Sequence, residues 1–323
     1  MIRCTTIALK YDELAGLSLL DQTLLPHQKV WRSIKKPEQM IEAIQALRIR
    51  GAPLIGIAAS LFWAHWLQEQ TDVQLINNVY QNIRKSRPTA INLINNLDEC
   101  YQVFQNNPQQ KRQVLEKAKM LFDADVQLCQ KMAENCASRI QTGDHILTYC
   151  NTGSLATAGR GTALGAITWA HEQGKKIMVY VGETRPLGQG ARLTFWELQQ
   201  VQMKCTLICD NMIGSLMAQK SINKIFVGAD RITKKYDIAN KIGTYSIAVL
   251  AKHHGIPFYV VAPSTTFDRN IDAADHIPIE QRPDQEILTI WNLHQGSVWN
   301  PCFDVTPHHL ISGIITESEI IEL

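Results

Sequence analysis

The sequence predicts an α/β protein whose second half contains a parallel sheet. Five short apolar runs recur there with helical patterns between them, which is typical of βαβ units. The runs read HILTYC, KIMVYV, CTLICD, KIFVGAD and PFYVVAP. Each run is apolar almost throughout, which indicates strands buried on both faces, as the strands of a parallel sheet are.

The first half predicts a smaller unit of helices and a short antiparallel sheet. Weak alternation of apolar and polar residues in TTIALKYDE, LSLLDQTLL and KVWRSI indicates the strands of that sheet. Helical spacing follows in KPEQMIEAIQALRI and in the more apolar PLIGIAASLFWAHWLQ, then near residues 73–85 and 89–105, and in a long stretch from Lys111 to about Ile140. We expect the long stretch to connect the two halves.

The composition excludes several classes of protein. The 323 residues are enough for two domains, and 45% of them are hydrophobic and 19% charged, as in ordinary globular proteins. A formal charge of +2 is too small to indicate the basic surface of a nucleic-acid-binding protein or an electrostatic attraction to an acidic membrane surface. No apolar run reaches the ~18 residues of a transmembrane helix. We therefore expect no membrane partner and no nucleic-acid partner.

The cysteines and the N-terminus predict a cytoplasmic location. The first residues, MIRCTTIALKYDELAG, lack the apolar core and cleavage site of a signal peptide. The eight cysteines are scattered and form no two matching Cys-x-x-Cys pairs, so we expect free thiols in a reducing compartment and no zinc site.

Polar residues follow each of the five predicted strands. In open α/β sheets, ligands bind outside the carboxyl ends of the strands. The segments delivered to that edge are Cys150-Asn151-Thr152-Gly153, Gly182-Glu183-Thr184-Arg185-Pro186, Asp210, Asp230-Arg231 and Pro263-Ser264-Thr265. A thiol, carboxylates and guanidiniums therefore collect on one edge, which predicts a polar active site.

Each of these residues also has a structural interpretation. Cys150 could be a small buried hydrophobe, since free cysteines usually are. Asp210 precedes a helical pattern and is a natural N-cap. Asp230 is either held in a salt bridge, with Arg231 next to it, or a proton-transfer group whose pKa the apolar strand raises.

The stretch GRGTALG resembles a dinucleotide fingerprint but does not fit one. That fingerprint needs its first glycine in the turn directly after a strand. Gly159 comes nine residues after Cys150, inside the predicted helix, although Glu183 lies about where the ribose-binding acid is sought. We interpret Gly159, Gly161 and Gly165 as sites of close helix packing and expect no dinucleotide cofactor.

Two other stretches suit phosphate binding. Arg50-Gly51-Ala52 stands just before Pro53, a favoured residue at a helix start, and free N–H groups there attract anions. An ordinary helix–helix turn is the alternative. Arg87 precedes another helix start and could add a guanidinium. Asn240 and Lys241 are predicted at the head of a helix, where Lys241 is either a ligand of phosphate or hydroxyl groups or a solvated lysine.

Long motifs in the chain resemble the methylthioribose-1-phosphate isomerase family. They cover nearly the whole sequence and read RIRGAPLIGIAAS, SRPTAINL, TYCNTGSLATAGRGTALG, ETRPLGQGARLTFWEL, VGADRI, DIANKIGTYSIAVLAKHHGIPFYVVAPSTTFD and NPCFDVTPHHLISGIITE. One departure is CNTGSLAT in place of the usual CNAGALAT, which adds a hydroxyl next to the thiol.

The resemblance implies an activity, an architecture and a set of site residues. The activity is conversion of 5-methylthio-α-D-ribose 1-phosphate to 5-methylthio-D-ribulose 1-phosphate in methionine salvage, by a homodimer without cofactor or metal. The implied domains are a small N-terminal domain with the connecting helix over residues 1–125 and a Rossmann-like catalytic domain over residues 126–323. The implied catalytic residues are Cys150 and Asp230. The implied substrate contacts are Arg50, Gly51, Ala52, Arg87, Gln189, Asn240 and Lys241.

Two alternatives share the fold. Regulatory subunits of the guanine-nucleotide exchange factor of translation initiation are related binding proteins without enzymatic activity. Ribose-1,5-bisphosphate isomerase is a related enzyme that would need a further cationic site for the second phosphate. The presence of both Cys150 and Asp230, together with the overall match of the motifs, favours the methylthio enzyme.

Overall fold

The chain forms two compact units in the computed structural model, which describes residues 1–87, 90–272 and 276–323. Unit 1 comprises Met1–Cys129 and Ser154–Gly161, and unit 2 comprises Gln130–Gly153 and Thr162–Leu323.

Unit 1 begins with the short antiparallel sheet that the sequence predicts. Its strands are β1 (Arg3–Thr5), β2 (Leu9–Asp12), β3 (Gly16–Leu20) and β4 (Trp31–Ile34). Each strand pairs antiparallel with the next along the chain. Alternate side chains such as Leu17 and Leu19 are buried, so one face of the sheet contributes to the core.

Five helices complete unit 1, at the places where the sequence predicts them. They are α1 (Pro37–Gln45), α2 (Ala52–Leu67), α3 (Val73–Lys85), α4 (Ile91–Asn106) and α5 (Lys111–Ala137), the last of which continues into unit 2. The predicted start of the fourth helix, at residue 89, lies outside the described residues.

Helix α2 is the central helix of unit 1, because twelve of its residues are buried. Its Trp63 side chain is fully buried and lies 6.0 Å from the ring of Tyr80 and 6.1 Å from that of Tyr101. At Gly56 an added Cβ would lie 2.5 Å from the carbonyl oxygen of Asn92. Helices α2 and α4 therefore approach so closely that only glycine fits, which fixes α2 firmly in the unit.

Unit 2 contains a large sheet and a small one. The remaining strands in chain order are β5 (His145–Thr148), β6 (Met178–Gly182), β7 (Cys205–Ile208), β8 (Lys224–Val227), β9 (Arg231–Ile232), β10 (Ile238–Lys241), β11 (Phe258–Val261), β12 (Phe303–Thr306), β13 (Gly313–Ile315) and β14 (Ile320–Glu322). The five predicted strands are thereby confirmed. The other five strands were not predicted, and each has only two to four residues.

The large sheet has the strand order β14-β13-β11-β8-β5-β6-β7. All of its pairs are parallel except β13–β14. From β5 the chain moves outward through β6 to β7 and then returns to β8 on the other side of β5. This is the order of a Rossmann fold, and the crevice between the ends of β5 and β8 is its topological switch point, where such sheets bind ligands.

Short helices join these strands. They are α6 (Ala163–Glu172), α7 (Phe195–Gln200), α8 (Ile213–Ala218), α9 (Thr244–His254) and α10 (Gln285–Leu288), and a π-helical turn of residues Gly190–Thr194 precedes α7. Because α6 begins at Ala163, the prediction that Gly159 lies inside this helix is wrong. An added Cβ at Gly159 would instead lie 2.5 Å from the Cβ of Cys129 in α5.

Two further findings concern the cysteines and the helices. All eight cysteines are free thiols. Among the described residues, no helix combines the length and the apolar character that crossing a bilayer requires.

Candidate active site

Cys150 lies on a tight turn just beyond strand β5. Its backbone φ is 62°, in the left-handed region that residues other than glycine rarely adopt. Its side chain is 6% exposed and packs in the core of unit 2. Such a conformation costs on the order of 1–3 kcal/mol and persists only where the surroundings enforce it, often at functional sites. The turn therefore holds Cys150 in one fixed orientation.

Two buried threonines hold the backbone of Cys150 on both sides. Its N–H donates to the hydroxyl of Thr184 over 2.9 Å. Its carbonyl oxygen accepts a hydrogen bond of 2.6 Å from the hydroxyl of Thr194, which ends the π-helical turn. Thr184 itself has a φ of 66°. The two loops that follow β5 and β6 are thus joined at Cys150.

The residues after Cys150 are fixed by a buried carboxylate. The side-chain amide of Asn151 donates to Glu197 Oε1 over 2.6 Å, and Glu197 is only 7% exposed. An added Cβ at Gly153 would lie 2.5 Å from Glu197 Oε2, so the close approach of the loop requires glycine. The hydroxyl of Thr152, one of two residues at which CNTGSLAT departs from CNAGALAT, accepts a hydrogen bond from the backbone N–H of Leu164 in α6.

Asp210 ties the end of β7 to the loop after β6. Its carboxylate accepts hydrogen bonds from the backbone N–H groups of Thr184, at 2.8 Å, and Arg185, at 2.7 Å. The hydroxyl of Tyr149 donates to the same carboxylate over 3.3 Å, and burial, followed by the charge of Asp210, raises the pKa of Tyr149. Asp210 therefore braces the neighbouring loop and is not the helix cap that the sequence suggested.

Asp230 lies beyond the end of β8, the strand next to β5. Its backbone N–H donates to the carbonyl oxygen of Ala239 over 2.9 Å, and its side chain is half-buried. Just before it, an added Cβ at Gly228 would lie 2.8 Å from Thr152 Cγ2, so the segments that carry Asp230 and Cys150 pack together. The neighbouring Arg231 forms an ion pair of 3.3 Å with Asp268.

Gln189 is a buried amide in the loop between β6 and the π-helical turn. It is 6% exposed, and its Oε1 atom has no hydrogen-bond partner among the described residues. An unpartnered buried acceptor costs about 1–3 kcal/mol, so its retention points to a ligand that donates to it. The next residue, Gly190, packs so tightly on the carbonyl of Gly182 that a Cβ would lie 1.8 Å from that oxygen.

Asn240 and Lys241 lie in strand β10, and the prediction that they begin a helix is wrong. Strand β10 pairs antiparallel with β9 and β12, and all four of its residues are buried. Helix α9 begins only at Thr244, after Gly243 with a φ of 104°. At 7% exposure Lys241 is not a solvated lysine. Asn240 donates to the hydroxyl of Thr244 over 3.0 Å.

Asp304 is a partly buried carboxylate next to the predicted site residue Asn240. Its carboxylate accepts hydrogen bonds from the backbone N–H groups of Gly243, at 2.7 Å, and Tyr245, at 3.1 Å. Burial raises the pKa of Asp304 to about 6 in spite of these hydrogen bonds and the nearby charge of Lys241. Asp304 lies directly across the strand pair from Asn240. Only the pairing of β10 with β12 reveals this, since the two residues are far apart in sequence.

The predicted anion site lies in unit 1 at the start of α2. Gly51 has a φ of 89°, and an added Cβ would lie 2.4 Å from the Cα atom of Ala156. The N–H of Leu54 donates to the carbonyl oxygen of Ala156 over 3.2 Å, and Pro53 has no N–H. The backbone N–H groups at this helix start that could bind an anion are therefore those of Gly51 and Ala52, next to Arg50.

Arg87 lies in unit 1 between α3 and α4. Its carbonyl oxygen accepts a hydrogen bond of 3.0 Å from the N–H of Ala90. The two residues that follow Arg87 lie outside the described residues.

The structure thus places five of the predicted residues in unit 2, three beyond the carboxyl ends of β5, β6 and β8 and two in β10 of the small sheet. They are Cys150, Gln189, Asp230, Asn240 and Lys241. The other four, Arg50, Gly51, Ala52 and Arg87, belong to unit 1. Within the described ranges, no group of three or more His, Cys, Asp or Glu side chains could hold a metal ion.

The chain is similar to enzymes named for one reaction. It is 46% identical over 313 residues to a methylthioribose-1-phosphate isomerase of Serratia proteamaculans, which covers 94% of this chain and 91% of that protein. The isomerase of the same name from Klebsiella pneumoniae is also 46% identical, with the same two coverages.

Two solved structures extend the comparison. The 5-methylthioribose 1-phosphate isomerase of Pyrococcus horikoshii matches with a TM-score of 0.91 at 35% identity, over 98% of this chain and 93% of that one. The delta subunit of translation initiation factor eIF-2B from A. fulgidus matches with a TM-score of 0.86 at 38% identity, over 98% and 96% of the two chains.

The family model is consistent with both kinds of relative. Residues 48–322 match the initiation factor 2 subunit family. The chain therefore belongs to this family, and within it to the group that contains the methylthioribose-1-phosphate isomerases.

Proposed function

We propose that this protein is an aldose–ketose isomerase that converts 5-methylthio-α-D-ribose 1-phosphate to 5-methylthio-D-ribulose 1-phosphate in methionine salvage. The observation that carries the proposal is the placement of Cys150 and Asp230 beyond the ends of the neighbouring strands β5 and β8, on either side of the switch point of the sheet. The names of the relatives at 46% identity support the same reaction.

The substrate sets the chemical problem. Its C1 carries a phosphate ester, so the ring cannot open to a free aldehyde as in ordinary sugar isomerases. Protonation of the ring oxygen lets the bond from C1 to that oxygen break, which leaves positive charge on C1. The hydrogen on C2 then moves to C1, and the C2 hydroxyl loses its proton to become the ketone.

Asp230 is assigned the protonation of the ring oxygen. A general acid must hold its proton near neutral pH, which apolar surroundings favour. Cys150 is assigned the hydrogen transfer between C2 and C1. It acts either as a proton shuttle through an enolate or by stabilising the charge while a hydride moves. Its fixed backbone suits this role, because catalytic groups work best when they are already oriented.

The remaining residues are assigned to binding. Arg50 and Arg87, with the N–H groups of Gly51 and Ala52, suit the phosphate, since guanidiniums and helix starts both bind such oxygens. The orphan Oε1 of Gln189 suits a sugar hydroxyl that donates to it. Asn240 and Lys241 are the remaining residues assigned to substrate binding. We further infer a cytoplasmic homodimer that needs no cofactor, and sedimentation of the purified protein tests the oligomer.

The test is substitution of the two catalytic residues, assayed with purified 5-methylthioribose 1-phosphate. We expect Cys150→Ser and Asp230→Asn each to lower kcat by at least ~10²-fold, the typical contribution of positioned acid–base groups. Cys205→Ser and Asp272→Asn are matched controls in unit 2, at a half-buried thiol in β7 and an exposed carboxylate. Near-normal turnover in either catalytic variant removes that residue from the mechanism.

Reaction in D2O distinguishes the two routes of hydrogen transfer. A hydride shift carries the C2 hydrogen to C1 without exchange, so the product contains no deuterium on C1. An enolate exchanges the proton with solvent through Cys150, so deuterium appears there. Mass spectrometry of the product measures the difference.

The resemblance to the eIF-2B delta subunit supports a second candidate, a binding protein without turnover. Turnover of 5-methylthioribose 1-phosphate excludes it, whereas stoichiometric binding without turnover favours it. Ribose 1,5-bisphosphate as a parallel substrate separates the methylthio enzyme from the related bisphosphate isomerase.

A further inference from the structure

The ammonium group of Lys241 is held by a single residue, Cys302. Its Nζ atom donates to the carbonyl oxygen of Cys302 over 2.9 Å and to the Sγ atom over 3.0 Å. It also lies 4.9 Å from the centroid of the Phe303 ring. Lys241 is 7% exposed and Cys302 is 4% exposed. The Lys241 side chain is thus confined by two residues, Cys302 just before β12 and Phe303 at its start.

This arrangement leaves one donor for a ligand. A lysine ammonium has three N–H groups, and Cys302 accepts two of them. In the described part of the chain no side chain or carbonyl accepts the third. The direction of the third N–H follows from the other two, because the bonds of an ammonium are tetrahedral. Two acceptors from one residue therefore fix where Lys241 presents its remaining donor.

Neither acceptor of the Lys241 ammonium carries a charge, so neither cancels the positive charge of that group. A carboxylate in place of the thiol would neutralise the ammonium and compete with an anionic ligand. A carbonyl oxygen and a thiol sulfur are neutral acceptors, and sulfur is a weak one. They orient the group without cancelling its charge, which suits a lysine that must attract a phosphate or a sugar oxygen.

Strand pairing explains why Cys302 is in place for this role. In the β10–β12 pair, Lys241 faces Phe303 and Asn240 faces Asp304. Cys302 is the residue just before β12, and its carbonyl oxygen also accepts a hydrogen bond of 3.1 Å from the N–H of Ile242. The stretch NPCFD, which begins the last of the motifs shared with the family, thus provides both contacts.

We propose that Cys302 is a positioning residue that aims the Lys241 ammonium at the phosphate or a sugar oxygen of the substrate. This inference rests on the proposed function, because it needs Lys241 to contact a sugar phosphate. Cys302 acts through Lys241 and takes no part in hydrogen transfer. Its loss therefore weakens substrate binding more than it slows the chemical step.

The experiment compares Cys302→Ala, which removes the sulfur acceptor, with Cys302→Ser, which replaces it by a hydroxyl acceptor. Both variants are made in the otherwise unmodified chain, where steady-state kinetics measures KM and kcat. Both are also made in a Cys150→Ser background, where calorimetry measures binding of 5-methylthioribose 1-phosphate without turnover. Because the backbone carbonyl still holds the ammonium and sulfur is a weak acceptor, we expect Cys302→Ala to weaken binding and raise KM by about threefold to tenfold, the range of an ordinary hydrogen bond. We expect kcat to change by less than about twofold and Cys302→Ser to recover most of the affinity.

Cys205→Ala is the matched control, since it removes a thiol of unit 2 from the edge strand β7. Binding by Cys302→Ala in the Cys150→Ser background within about twofold of the Cys150→Ser parent overturns the positioning role. An equal loss in the Ala and Ser variants, with an equal fall in Tm, also overturns it and assigns Cys302 to packing. If the unmodified chain turns over the substrate, these outcomes concern Cys302 alone. If it does not, the proposed function fails first and the inference fails with it.

Discussion

The backbone N–H of Cys150 donates to the hydroxyl of Thr184 over 2.9 Å, and both residues have left-handed backbone conformations, with φ of 62° and 66°. Each conformation is unfavourable alone. The hydrogen bond joins two strained turns, one after β5 and one after β6, so that each stabilises the other. The orientation of the candidate catalytic thiol therefore depends on a residue outside the predicted set of site residues.

Thr184→Val tests this dependence. Valine keeps the shape of threonine but cannot accept a hydrogen bond, so the buried N–H of Cys150 loses its partner. We expect the free energy of unfolding to fall by about 1–3 kcal/mol and kcat to fall by about tenfold or more, because the thiol is no longer held in place. Urea unfolding and steady-state kinetics measure the two effects. Thr206→Val in β7 is the control, and a kcat no lower in Thr184→Val than in this control would contradict the dependence.

The placement of Cys150 and Asp230 at one sheet edge could be predicted from the sequence, because parallel strands bring their carboxyl ends together. The contacts that hold the Cys150 loop in place could not be predicted from the sequence. Thr184, Thr194 and Glu197 meet the Cys150 loop only after β5 and β6 pair and the π-helical turn forms. The spacing of apolar and polar residues in the sequence does not indicate such contacts.

Strand β10 shows the other limit of prediction from the sequence. It has only four residues, and GTYSIAVLAKHH follows at once with clear helical spacing. A short strand next to a strong helical pattern is easily absorbed into it. The error placed Lys241 at the head of a helix and hid its contact with Cys302, which depends on the pairing of β10 with β12.

Asp210→Asn tests the brace between β7 and the loop after β6. The carboxylate accepts hydrogen bonds from Thr184, Arg185 and Tyr149. An asparagine amide has one oxygen acceptor in place of two, so at least one backbone N–H loses its partner. We expect the free energy of unfolding to fall by about 1–3 kcal/mol, with a drop in kcat similar to that of Thr184→Val.

A double-mutant cycle separates this brace from a direct catalytic role for Asp210. If Asp210 acts through the Thr184 turn, the double variant Asp210→Asn/Thr184→Val should lose less activity than the product of the single losses. Fully multiplicative losses would show that the two residues act independently.

Asp304 makes stability depend on pH in a defined direction. Burial raises its pKa to about 6 from an ordinary value of 3.8, so the folded state binds this proton more tightly than the unfolded state. The stabilising contribution is fully present below about pH 4 and is lost as the pH rises through about 6. Asparagine cannot titrate, so the stability of Asp304→Asn relative to the unmodified chain should rise by on the order of 1–3 kcal/mol across this range.

Chemical denaturation between pH 4 and pH 7 measures the difference at each pH. Asp272→Asn is the control, because the hydrogen bond from Lys234 lowers the pKa of Asp272 below its ordinary value of 3.8, so its difference from the unmodified chain should stay nearly flat between pH 4 and pH 7. The difference between Asp304→Asn and the unmodified chain is diagnostic, because Asp125, whose pKa burial also raises to about 6, titrates equally in both. A difference that stays flat with pH would refute the assignment to Asp304.

Gly51→Ala tests how closely the turn at the start of α2 packs against Ala156. The substitution imposes a left-handed conformation at a φ of 89° and places a Cβ 2.4 Å from both the Cα and the carbonyl oxygen of Ala156. We expect a loss of at least about 3 kcal/mol in the free energy of unfolding, because strain and a backbone clash add. Gly143→Ala is the matched control, since Gly143 has a φ of 94° with nothing within 4 Å of an added Cβ. It should lose only about 1–2 kcal/mol from strain. Equal losses in the two variants would mean that Gly51 is needed only for its backbone conformation, whereas a larger loss at Gly51 shows that close packing against Ala156 fixes the turn that presents Arg50.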